Sequence, residues 1–155
     1  MEAASPARLY ATVVGAFLVV LGIVGFFYSA SFGSPGAVEA ALGVLRVNAW
    51  LNVLYIATGS LGLLAAGTAA RPYAIGVGLL CTALAIWGFA LGSGEAILGF
   101  LPVNGGNDVV NLVLGLLALA AAAGTPRGSS VTREVQKEPR DGGSEPRAQA
   151  AGKRP

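Results

Sequence analysis

Between Leu9 and Ala123 the chain carries only five charged residues: Glu39, Arg46, Arg71, Glu95 and Asp108. A soluble domain is about 25% charged, because its surface has to be wetted. Here the whole 155-residue chain is 12% charged and 54% hydrophobic, and its other thirteen charges crowd into the two ends. The mean hydropathy is +0.67. A segment this long with so little to offer water must set its outside against hydrocarbon, and the chain reads as an integral membrane protein.

Breakers divide the segment into four spans. Residues 9–28 form the first, about 20 residues without a charge and enough to cross roughly 30 Å of hydrocarbon. A signal peptide cut after Ser29-Ala30-Ser31 is the rival reading, although such an apolar region is usually about 7–15 residues. A loop with Gly33, Ser34, Pro35 and Gly36 follows, and then a semi-apolar patch, 37–45, expected to lie along the interface. The second span is expected over 49–70, with Trp50 near the membrane boundary. Pro72 marks the first turn of the third span, 73–91, because its missing N–H is not needed there. The loop 92–107 leads to the fourth span, 108–123, which Gly124-Thr125-Pro126 ends. Residues 124–155 are polar and hold few large apolar side chains, so they are expected to be a disordered tail.

Four spans bring both ends to one side. Arg8, Arg71 and the basic tail lie there; Glu39, Glu95, Asp108 and a single Arg46 lie on the other. The positive-inside rule makes both termini cytoplasmic and both longer loops external. Arg outnumbers Lys eight to two amid abundant Ala and Gly, which suits a bacterium with a GC-rich genome. The expected location is the bacterial inner membrane.

An internal echo shapes the architecture. Asn48, Asn52, Tyr55 and Gly59 are followed, 56 residues on, by Asn104, Asp108, Asn111 and Gly115. Gly15, Gly22, Gly25 and Phe26 are followed, 63 residues on, by Gly78, Ala85, Gly88 and Phe89. The expected fold class is all-α: four transmembrane helices as two tandem hairpins in the same orientation, with a pseudo-two-fold axis along the membrane normal. On each of spans two and four the repeated residues share one helix face, polar at the outer end and small towards the cytoplasm. Gly22, Gly25, Gly59, Gly62 and Gly115 are expected to let helices approach closely, because packing drives association in lipid.

The polar cluster Asn48, Asn52, Tyr55, Asn104, Asp108 and Asn111 has three readings. Asn48, Asn104 and Asp108 suit helix N-caps, accepting from orphan backbone N–H groups. Asn52, Tyr55, Asp108 and Asn111 could instead form a small-ligand or cation site at the outer mouth, since ionisable residues in spans are often functional. A purely structural hydrogen-bond cluster tying the two hairpins together is the third.

The chain has no His, and Cys81 is its only cysteine. That excludes an internal disulfide, a Cys/His zinc site, a haem held by His and a His-based triad. No nucleophile–base pair, metal set or phosphate loop is visible, so neither an enzyme nor a cofactor is expected. The expected partners are the lipid bilayer and either a second copy of the chain or another membrane protein, with no nucleic acid. The leading functional expectation is a structural or accessory membrane bundle. The alternative is a small transporter or channel with Asn52, Tyr55, Asp108 and Asn111 at its entrance.

The runs V-N-x-x-x-N-x-x-Y-x-x-x-G from Val47 and L-P-V-N-x-x-N-D-x-x-N-L-x-L-G from Leu101 carry a resemblance over residues 10–123. With four spans, they resemble a family of small bacterial integral membrane proteins, common in actinobacteria and classed as a domain of unknown function. In that family His often stands where this chain has Leu51 and Tyr55, and again near Asn107 and Asn111. The resemblance implies a four-span bundle and no particular activity.

Overall fold

The computed structural model of the chain describes residues 4–32, 39–41 and 44–126. Four helices account for most of them: α1 (Pro6–Tyr28), α2 (Ala49–Ala65), α3 (Ala70–Leu91) and α4 (Gly105–Ala123). The expected tail lies almost wholly outside the described residues.

Each helix begins where local chemistry permits. The Ser5 side chain accepts from the Arg8 N–H, and Pro6 follows at a position where no N–H is needed. Asn48 and Asn104 cap α2 and α4 through their side chains. Helix α3 starts at Ala70, which leaves Pro72 in the first turn. That proline also explains why the second span stops at Ala65 rather than residue 70. Its ring would strike the carbonyl of Thr68 in an unbroken helix, so the chain must turn over 66–69.

Helices α1, α3 and α4 are long and apolar enough to cross a membrane. Helix α2 has 17 residues, about 26 Å at 1.5 Å per residue, just under the roughly 30 Å of a hydrocarbon core. The fold is mostly helical rather than wholly so. Strands β1 (Glu39–Ala41) and β2 (Leu45–Val47) pair antiparallel, with Ala40 opposite Arg46. Strands β3 (Ala96–Ile97) and β4 (Leu101–Pro102) do the same between α3 and α4. Two or three residues are too few to show a strand's alternation. Their pairing satisfies backbone groups of the connections, where no helix can.

The bundle is small inside and large outside. Ala7, Ala11, Gly15, Gly22 and Gly25 are the buried positions of α1, with Tyr10, Leu18 and Leu21. Phe17, Val20, Ile23 and Phe27 face outward, Phe27 with 87% of its surface exposed. Helix α2 packs along α1, and α4 packs along α3; the two pairs meet chiefly through α1 against α3 and α4. At the first seam, a Cβ on Gly59 would lie 2.5 Å from the Gly15 carbonyl oxygen. At the second, a Cβ on Gly115 would lie 3.0 Å from the Gly78 carbonyl and 2.5 Å from Thr82 Oγ1. Backbones this close leave no room for side chains, and their many dispersion contacts hold the pairs. Spans two and four therefore do turn their repeated faces inward, each against its own neighbour.

The two ends of the bundle differ. At one, the Ala7 N–H donates to Thr125 Oγ1 (2.8 Å) and Arg71 Nε to the Ala122 carbonyl (3.2 Å). This end gathers the start of α1, the α2–α3 turn and the end of α4. Both β hairpins stand at the other. We expect Gly59→Ala to destabilise the protein in detergent by about 1–3 kcal/mol through overpacking. An added methyl on Gly76 would meet nothing within 4 Å. Gly76→Ala should therefore bring no loss, or a gain of up to about 1 kcal/mol. Thermal melting of both variants beside the parent checks the pair.

Candidate functional site

The hairpin end is closed by four carboxamide and backbone exchanges. Asn48 Oδ1 accepts from the Leu51 N–H (2.9 Å), and its Nδ2 donates to the Phe100 carbonyl (2.6 Å). Asn104 Oδ1 accepts from the Asn107 N–H (3.0 Å), and its Nδ2 donates to the Val44 carbonyl (2.8 Å). Each cap thus opens its own helix and grips the other hairpin. Phe100 follows Val44, and Asn104 follows Asn48, by the same 56 positions.

Asn107 adds a one-sided bond set. Its Oδ1 accepts from the Arg46 N–H (3.1 Å) and its Nδ2 donates to the Arg46 carbonyl (2.8 Å) and the Pro102 carbonyl (3.2 Å). The carboxamide pairs with β2 as a neighbouring strand would. Asn107 is 3% exposed, so these bonds replace water. By sequence alone Asn107 belongs to the loop 92–107. Its place three residues after an N-cap is the one local signal, but its Arg46 partner lies in the other loop. Nearby, the Trp50 ring packs edge-on against Phe32 (5.1 Å) and tilted against Phe100 (5.8 Å), while its Nε1 donates to the Phe32 carbonyl.

The remaining cluster members divide into two places. Asn52 is fully buried between α2 and α1. Its Nδ2 donates to the Ser29 carbonyl (2.9 Å), its Oδ1 has no partner among the described residues, and Gly25 leaves the room it fills. Asp108 sits against Gly88 in the same way. It is not a cap: it lies in the first turn of α4, which Asn104 opens. Its carboxylate is buried and accepts no hydrogen bond among the described residues.

Asp108 lines a cavity of about 40 Å³ together with Tyr55, Thr58, Cys81, Asn107 and Asn111. Leu54, Leu80, Leu84, Leu101 and other apolar residues form most of its wall. The expected set of Asn52, Tyr55, Asp108 and Asn111 is therefore brought together in part: Asn52 is turned away into the α1 seam. Among the described residues no group of three His, Cys, Asp or Glu could hold a metal ion.

Three helices long and apolar enough to cross a membrane, packed with α2 through backbone-close glycine seams, make a helical bundle consistent with a membrane protein. The family model for DUF4383, a domain of unknown function, matches residues 8–124, and the chain belongs to that family. No curated protein and no solved structure matches it.

Asn107→Ala should cost about 2–3 kcal/mol, because it strands the buried Pro102 carbonyl and two part-buried backbone groups of Arg46. Asn104→Ala, half-buried, should cost about 1 kcal/mol through the lost cap. Denaturation in detergent micelles measures the order; equal losses would place the main grip elsewhere.

Proposed function

We propose that this chain is a multi-pass protein of the bacterial cell membrane that acts as a structural or accessory bundle, not as an enzyme. Its membrane part is two tandem hairpins, α1–α2 and α3–α4, repeated in the same orientation. The matched offsets support that reading, since Asn48 and Asn104, Gly25 and Gly88, and Gly15 and Gly78 keep equivalent neighbours. The basic residues Arg8 and Arg71 fall at one end of the bundle, which favours cytoplasmic termini and external hairpins.

The observation that carries the reading is how little polarity continues inward: past Thr58 the one unpartnered buried hydroxyl among the described residues is that of Thr82, against Gly115. Beyond Thr58 the buried face of α2 is Gly59 and Gly62, and that of α4 is Gly115, Ala118 and Ala122. The tyrosine hydroxyls at that depth are bound to backbone: Tyr10 donates to the Leu114 carbonyl and Tyr73 to the Thr58 carbonyl, both at 3.0 Å. A transporter or channel needs a polar route through this half, because an ion or polar solute crosses hydrocarbon only at a large free-energy cost. The transport reading draws only on the cavity beside Asp108, which lies at the other end. Exposed Leu, Val and Phe on the outer faces suit lipid, a second copy or another membrane protein.

Two measurements test this. With Cys81 replaced by Ala, a cysteine at Glu95 should react with an impermeant maleimide on intact cells, and one at Arg8 only after permeabilisation; the reverse pattern would overturn the orientation. Cross-linking in native membranes should recover the chain joined to itself or to another membrane protein. Recovery as the monomer alone would contradict the accessory role.

A further inference from the structure

Asn52 and Asp108 occupy matching places on α2 and α4, each against a glycine of the neighbouring helix. Their chemistry differs. The Asn52 carboxamide carries N–H groups and gives one to the Ser29 carbonyl (2.9 Å). A carboxylate has no proton to give, and no side-chain hydrogen bond found among the described residues ends on Asp108. With only 4% of its surface exposed, Asp108 lies mostly out of bulk water, and no cation stands against it among the described residues. Such a group is costly to bury unless something neutralises it. The cavity lies on the Asp108 side: Asp108 lines it and Asn52 does not.

An apolar groove lies beside the cavity. An open groove of about 340 Å³ runs between α2 and α3, lined by Trp50, Val53, Ala57, Leu98 and Phe100. Leu54, Leu80, Leu84 and Leu101 border both spaces. A water-sized group takes roughly 10–15 Å³ by the same kind of measure, so 40 Å³ admits about three. That suits a primary ammonium better than a bulky quaternary one. The groove has the size of a small ligand site, at the lower end of roughly 300–1,000 Å³.

We propose that the α2–α3 groove and the Asp108 cavity together bind a single-chain amphiphile with a primary ammonium head. The carboxylate of Asp108 faces the ammonium, with the Asn111 side chain and the Tyr55 hydroxyl as neighbouring polar groups. The alkyl chain lies along Trp50, Ala57 and Leu84. An inorganic cation would face mostly leucine, with few oxygens to replace its water. The inference relies on the membrane reading only for entry from the lipid side. Binding in micelles tests the site and accessibility labelling tests the membrane reading, so either can fail alone.

Trp50 lines the groove and is one of two tryptophans, so Trp87→Phe leaves it as the sole reporter. The test titrates hexylammonium chloride, and separately hexanol, into this protein in maltoside micelles at fixed ionic strength. We expect a saturable change in Trp50 emission, with hexylammonium binding at least about tenfold more tightly than hexanol. Asp108→Asn should abolish that preference, Ala57→Leu should weaken hexylammonium binding by filling the groove, and Glu95→Gln should change nothing. Equal responses to hexylammonium and hexanol in the otherwise unaltered protein would overturn the proposal, and that arm needs no Asp108 variant to fold. So would a preference that survives Asp108→Asn, is indifferent to Ala57→Leu, or vanishes with Glu95→Gln.

Discussion

Gly15 and Gly59 bring two helix backbones within the space one methyl group would occupy. The rest of the arrangement depends on that approach. Between helices in lipid there is no water to expel, so the hydrophobic effect that assembles a soluble core is missing. Close packing must supply the attraction instead, and it acts only at contact distance. Small residues therefore form the inner faces and the large apolar ones are turned out, the reverse of a soluble helix bundle. Gly78 and Gly115 repeat the device in α3 and α4.

Such seams join helices in pairs but do little to align one pair with the other. The carboxamides at the hairpin end supply that alignment. Asn48, Asn104 and Asn107 each satisfy carbonyls of the interhelical connections, and each reaches across from one helix pair to the connection within the other. A hydrogen bond in this setting contributes about 1 kcal/mol, while leaving a buried partner unpaired costs about 1–3 kcal/mol. The bonds act mostly by making other arrangements unfavourable. The polar end also permits something the seams cannot: a cavity, walled largely by leucine, in which one carboxylate stands without a donor among the described residues.

Much of this is legible in the residues alone. The scarcity of charge announces spans, and the spacing of Gly59, Gly62 and Gly115 announces an inner face. Asn48 and Asn104 are recognisable as caps because a cap is a local device whose partner lies three residues away. What escapes is non-local. The hairpins β1–β2 and β3–β4 are too short to leave a period. Asn107 resembles a loop residue because its partners, Arg46 and Pro102, belong to strands the sequence does not advertise. Asn52 and Asp108 look equivalent by offset, yet one is bonded within a helix seam and the other lines a cavity. Hydropathy alone carries the second span too far, because Pro72 acts on the residues before it and closes α2 at Ala65.

The central claim is that two helix pairs are held in register by side-chain amides at one end. Dividing the chain within the 66–69 turn and co-expressing the halves tests it most directly. The halves should co-purify from the membrane, and should separate when Asn48, Asn104 and Asn107 are all replaced by Ala. Halves that never associate, or that stay together without those amides, would contradict the account.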